Sequence, residues 1–197
     1  MTASIVSICN TALDLIGADT IASLADDSKP ARFCARNFER VRDAVLRAYP
    51  WNCAMARARL AALAEVPAFG FAAQFPLPDG PAPLYCLRLL AVGGAGADES
   101  AAPWRIEGRR VLSDVSAPLD ILYIGRAEDP AQYDALLVDA IAARLALDAA
   151  FPLTGSVSLA QAMGQAYAEK LAEARMVDAQ EGAADQPRAG DWLEARL

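Results

Sequence analysis

Residues 129–148 read DPAQYDALLVDAIAARLALD, and this stretch decides how the chain must pack. Asp129 followed by Pro130 is typical of a helix start, because aspartate accepts hydrogen bonds from the first free N–H groups and proline fits the first turn. Beyond Tyr133 few positions are polar until Asp148. A helix that is apolar around most of its circumference is buried on more than one side. We therefore expect this helix to lie in the interior of a helical assembly.

A second helix is expected after a short break. Residues 151–155, which contain Pro152 and Gly155, should end the first helix. Ser158 and Gln161 have the spacing of a capping box for the next helix, which should stop at Gly182. Its apolar positions recur at helical spacing and are Leu159, Met163, Tyr167, Leu171 and Ala174.

Two further amphipathic helices are predicted near the N-terminus. The first covers residues 5–16, with Thr2 or Ser4 as its cap and Gly17 after its end. The second covers residues 29–49 and ends before a proline. Its apolar seam consists of Cys34, Phe38, Val41, Val45 and Ala48. The opposite face carries Arg32, Arg36, Arg40, Asp43 and Arg47.

The region between the two helix pairs has the composition of strands and turns. Five prolines between residues 67 and 83 exclude a helix there. The expected elements are strands at 69–77, 84–92 and 119–124, and a hairpin within 104–112 that turns at Glu107-Gly108. Residues 56–64, just before this region, fit either a helix or an irregular strand.

These elements predict an α+β fold that is mainly α. The architecture we expect is an antiparallel four-helix bundle with an inserted small antiparallel β-sheet subdomain and an extended C-terminal arm. The parts are residues 1–66 (N-terminal helices of the bundle), 67–125 (β subdomain), 126–182 (C-terminal helices of the bundle) and 183–197 (the arm).

Composition excludes several classes of function. A net charge of −7 argues against a free-standing duplex-DNA binder, and the lack of histidine excludes Ser-His-Asp and Cys-His catalysis and His-ligated zinc. The four cysteines lie far apart and form no CxxC motif, which indicates free thiols in a reducing cytoplasm. We therefore expect no cofactor, no bound metal and no membrane span.

Two sets of residues are candidates for binding a partner. The first is the arginine face formed by Arg32, Arg36, Arg40 and Arg47, which fits either a solvated helix face balanced by Glu39 and Asp43 or a protein interface. The second is the end of the chain, where Trp192, Leu193, Arg196 and Leu197 follow a polar linker. This tail either folds back on its own bundle or is a docking arm that becomes ordered on a partner.

Acidic side chains offer a weaker alternative. Glu107, the pair Glu128-Asp129 and the pair Asp26-Asp27 are the carboxylates that a cell-wall or polysaccharide hydrolase of the virion would need for acid–base catalysis. Each of them also fits a turn, an N-cap or a solvated loop. The sequence favours a protein that is not an enzyme.

Several stretches resemble one known family. They include SICNTALDLIGA at 7–18, YPWNCA at 49–54, WRIEGR at 104–109 and FPLTGS at 151–156. Together they resemble tail tubular protein A, the head–tail adaptor of short-tailed bacteriophages, over nearly the whole chain. Residues 67–103 match loosely, and Cys53 stands where the family pattern has phenylalanine.

The resemblance implies a structural protein of the virion, located at the head–tail junction and made in the host cytoplasm. It implies a dodecameric homo-oligomeric ring that joins the portal protein to the tail nozzle or tube and lets double-stranded DNA pass without sequence-specific binding. The C-terminal arm would grip the portal, the arginine face would form a subunit or portal interface, and the β subdomain would face the tail. Helix 130–149 is too apolar for a lone small bundle, which agrees with a ring wall.

Overall fold

The computed structural model describes residues 3–81, 84–93 and 103–181. Within these ranges the chain forms four α-helices and six β-strands. The helices are α1 (Ile5–Leu15), α2 (Lys29–Ala48), α3 (Ala135–Thr154) and α4 (Val157–Gln180). The strands are β1 (Met55–Leu60), β2 (Ala73–Pro76), β3 (Cys86–Gly93), β4 (Trp104–Glu107), β5 (Arg110–Ser113) and β6 (Leu119–Gly125). None of the described helices is long and apolar enough to cross a membrane.

Local capping chemistry sets the helix ends. Ser4 caps α1 in a capping box, and Ser28 caps α2, with a proline in its first turn. Two predicted starts are wrong. Asp129 caps only a single 3-10 turn, and Asp134 caps α3 instead; Ser156, not Ser158, caps α4. In each case the nearest side chain that can accept from the helical N–H groups becomes the cap.

The end of α3 also differs from the prediction. Pro152 lies inside the helix without ending it, and the helix stops at Gly155, whose φ of 72° is the left-handed conformation that glycine adopts without strain. Residues 151–154 are therefore the last turn of α3 and not a break between the two helices.

The predicted four-helix bundle with one small sheet is wrong. Helix α3 packs against α1, α2 and α4 at once, whereas α1 and α2 contact each other only slightly. The apolar circumference of α3 is thus buried by three helices of the same chain, with Ile141 and Leu145 fully enclosed. Because helices of the same chain bury the apolar surface of α3, its composition is not evidence for a ring wall.

Two sheets are present where one was expected. The described strands form a three-stranded antiparallel sheet in the order β1-β6-β3, called sheet A, and another in the order β2-β5-β4, called sheet B. Residues from both sheets, including Phe75 and Val111 of sheet B and Tyr123 of sheet A, share one hydrophobic core. Strand β1 lies before the expected insert. Two of its inward residues are alanines, which give only a weak strand signal in the sequence.

The turn and loop positions in this region also differ from those predicted from the sequence. The hairpin between β4 and β5 turns at Gly108-Arg109, one residue later than predicted, and only Gly108 has a positive φ (58°), as in a type II′ turn. The strand expected at 69–77 is confined to β2, and residues 61–72 form a loop. Phe69 in this loop is 87% exposed, so its apolar side chain lies at the surface and not in a core.

Strand β6 joins the two cores of the molecule. Tyr123 belongs to the core between the sheets, and its neighbour Ile124 belongs to the helical core. Successive residues of a strand point to opposite faces, so β6 is buried on both. Sheet A consequently lies between the helices and sheet B.

Candidate functional site

The arginine face of α2 is largely used within the molecule. The Arg40 guanidinium lies 2.7 Å from the Asp148 carboxylate of α3, and the Arg47 guanidinium donates to the Leu87 carbonyl of β3. Arg36 donates to a carbonyl of its own helix at 3.0 Å, and Arg32 pairs with Asp27 in the preceding loop. Arg40 and Arg47 therefore tie α2 to its neighbours, and the interface role of the four arginines stays a prediction.

A buried charged cluster connects the helices to both sheets. On α2, Arg42 is only 3% exposed and donates to Asp43, with 2.9 Å between Nε and Oδ1. The other oxygen of Asp43 lies 2.9 Å from Nε of Arg126, which follows β6. The guanidinium groups of Arg126 and Arg109 lie 4.0 and 4.3 Å from the ring centre of Tyr85. Cation–π contacts of this kind fix the mutual positions of Arg109, Arg126 and Tyr85.

Sequence reasoning missed this cluster although a signal was present. Arg42 lies four residues after Phe38 and three before Val45, which are both on the apolar seam of α2. A charge at a seam position needs a buried partner. That partner is Asp43, which also pairs with Arg126. The sequence pattern instead places Asp43 on the solvated face of α2.

The cysteines are free thiols, and three of the four are buried. A hydrogen bond with Cys34, aided by burial, raises the pKa of Cys9. Burial and the nearby Asp178 carboxylate raise the pKa of Cys53 to about 11. Burial also raises the pKa of Cys86. Because the thiolate is the nucleophilic form, these raised pKa values disfavour nucleophilic chemistry at Cys9, Cys53 and Cys86.

The carboxylates considered for hydrolysis have local contacts. Asp26 accepts from two backbone N–H groups of the preceding turn, Asp27 pairs with Arg32, and Asp129 caps its 3-10 turn. Glu107 and Glu128 are exposed. Among the described residues, no group of three or more acidic or cysteine side chains is placed to hold a metal ion.

Two exposed apolar surfaces stand out. The first is the loop of residues 61–72, called the apolar loop, in which Phe69 is 87% and Val66 63% exposed. The second is the corner between α3 and α4, called the helical tip, in which Phe151 is 57% and Val157 60% exposed. Exposed apolar side chains that lie together in a patch are typical of surfaces that bind another protein.

Hydrogen bonds hold the apolar loop in place at its base. The Leu63 N–H donates to the Gln74 carbonyl at 2.9 Å, and the Gln74 side chain donates to the Glu65 carbonyl at 2.7 Å. The Glu65 carboxylate lies 3.1 Å from the Arg110 guanidinium. The loop therefore presents its apolar side chains from a fixed base on sheet B.

The face of sheet A that carries Ile124 packs on the helices at one end, and its uncovered part forms an open groove of about 710 Å³. Its floor includes Ala91 and Leu122, and its rim carries Arg57, Arg59 and Asp120. The last two pair through two contacts of 2.7 and 3.1 Å. We call this feature the basic groove, since its arginines outnumber its acidic residues.

The four arm residues Trp192, Leu193, Arg196 and Leu197 lie outside the described residues. The sequence matches no protein-family model and no curated protein.

Proposed function

We propose that this chain is a head–tail adaptor of a short-tailed bacteriophage, a structural protein whose ring joins the portal to the tail nozzle or tube. Two things support the proposal: the sequence resemblance to the tail tubular protein A family, and the position of the two exposed apolar surfaces at opposite ends of the molecule. The second is the structural observation that carries it, because an adaptor must contact different partners above and below.

The positions of the two surfaces follow from the chain path. Helix α3 begins next to the end of β6, where the Tyr133 hydroxyl donates to the Ala127 carbonyl at 2.5 Å. Its 20 residues span about 30 Å, so the helical tip lies that far from the start of α3. The apolar loop leaves the opposite side, after Leu60 at the end of β1 that is remote from the helices.

Charge is compatible with passage of DNA. The chain carries 25 acidic and 18 basic residues, and many of the arginines are held in contacts within the molecule. A channel lined with negative charge repels phosphate and lets a duplex slide, whereas a basic lining retains it. A ring of such subunits fits a conduit and not a DNA-binding clamp.

Electron microscopy of the purified chain mixed with portal rings tests the proposal. We expect a second ring with the portal's axial symmetry on one face of the portal. The chain alone and portal alone are the controls. Portal rings that stay bare at saturating chain concentration would overturn the adaptor assignment.

A further inference from the structure

We propose that the C-terminal segment, residues 182–197, docks in the basic groove of its own chain. The inference stands apart from the adaptor role, because it depends only on the groove, the exit point of the chain and the composition of the segment. It concerns the same segment that the resemblance assigns to portal binding.

The described fold ends near the start of β1, a strand that lines the groove. Near the end of α4, the Asp178 carboxylate accepts from the Asn52 N–H at 3.2 Å, and the Asp178 carbonyl accepts from the Asn52 side chain at 2.8 Å. Asn52 lies three residues before β1 begins at Met55. The segment after Glu181 therefore starts at the end of β1 that leads to Arg57 and Arg59.

Length places the anchor residues within reach. Met55 to Arg59 along the strand is about 13 Å at 3.3 Å per residue. The eleven residues from Glu181 to Trp192 extend to as much as about 36 Å. The segment is therefore long enough to reach the basic groove and to lie along it.

The segment complements the groove in chemistry. Its Trp192-Leu193 pair is flanked by Asp191 and Glu194, an apolar pair between two carboxylates. The groove offers an apolar floor and a rim on which Arg57 has no ion-pair partner among the described residues. A volume of about 710 Å³ is in the range of pockets that enclose large side chains.

A second unpaired cation extends the match. Arg88 of β3 pairs in register with Ile124 on this same face and has no acidic partner among the described residues. Its guanidinium contacts only the Arg47 carbonyl, at 3.4 Å. Arg57 and Arg88 thus give two positive charges for the two carboxylates beside the tryptophan. If the chain is an adaptor, portal binding must compete with this docked position.

Photo-cross-linking of the full chain, without portal, tests the docking. With p-benzoylphenylalanine in place of Ala195, we expect cross-links within the chain to residues 55–60, 88–93 and 119–124, mapped by mass spectrometry. The yield should not change on dilution. Arg57→Glu should lower it about fivefold, the size of one lost ion pair, and Arg105→Glu, an exposed arginine of sheet B, should leave it unchanged.

Three outcomes would overturn the proposal. Cross-links that map to the helices would place the segment elsewhere on the chain. Cross-links between chains, with a yield that rises with concentration, would assign the groove to a second copy. An absence of cross-links would show an undocked segment. Bare portal rings would not bear on any of these, so failure of the adaptor role and failure of the docking are separable.

Discussion

At the scale of single residues, the buried charges matter more than the exposed ones. Arg42 and Asp43 form a pair whose side chains are 4% and 22% exposed, while Arg32 and Asp27 form one whose side chains are 58% and 98% exposed. Solvent screens the second pair, whereas the first is enclosed between α2 and the sheets. Removal of one partner from an arginine–aspartate pair therefore destabilises the protein more when the pair is buried than when it is exposed.

Asp43→Ala should destabilise the protein by about 2 kcal/mol, because it leaves buried Arg42 and half-buried Arg126 without their shared carboxylate. Urea unfolding followed by circular dichroism measures the change. Asp27→Ala, which removes an exposed partner, is the matched control and should not shift the midpoint. Equal midpoints for the two variants would show that the cluster does not hold the elements together.

The sequence predicted some of these residues and missed others for a physical reason. The cap residues Ser4 and Ser28 act on N–H groups three residues away, so local sequence predicts them. Asp43, the partner of Arg42, also pairs with Arg126, which lies more than eighty residues further along the chain. The seam position of Arg42 signals a buried charge, but local sequence does not show which distant residue completes the cluster.

At the scale of elements, α3 is the centre of the helical half. The periodicity of its sequence predicted burial on several sides, but not that three helices of one chain supply it. Sheet A was harder to predict, because β1 alternates alanine and arginine without the β-branched residues typical of strands. The predicted strand 69–77 is correct only for β2, and residues 69–72 belong to the apolar loop, since a short apolar run fits both a strand and a loop.

The two glycines of the α3–α4 hairpin allow a paired prediction. Gly155→Ala should cost about 1 kcal/mol, because alanine is strained at a φ of 72°. Gly164→Ala should stabilise by about 0.5–1 kcal/mol, because it lies inside α4 and the added methyl meets Leu147 at an ordinary 3.8 Å. Thermal unfolding should show Tm shifts of about 2–4 °C in opposite directions. Shifts of the same sign would contradict the helix boundary at Gly155.

At the scale of the whole molecule, the two exposed apolar surfaces should serve different partners. Phe69→Ser should leave Tm unchanged, because the side chain is 87% exposed, but should weaken binding of the tail nozzle or tube protein by about tenfold or more. Phe151→Ser is the matched control at the helical tip. It should keep tail binding, measured by sedimentation of mixed complexes. Loss of tail binding in both variants would show that the two ends do not act separately.

In the proposed adaptor the arm connects the chain to the portal, and its removal gives the most decisive test. A chain that ends at Gly182 keeps all four helices and both sheets, so its Tm should stay within a few degrees of the full chain. It should nevertheless fail to bind portal rings, because it lacks Trp192, Leu193, Arg196 and Leu197, and a buried aromatic anchor commonly contributes about 2 kcal/mol or more. Trp192→Ala alone should weaken binding, as electron microscopy of mixed samples would reveal. If the shortened chain binds portal as tightly as the full one, the helices carry the contact; if it unfolds, the tail packs on its own bundle and is part of the fold itself.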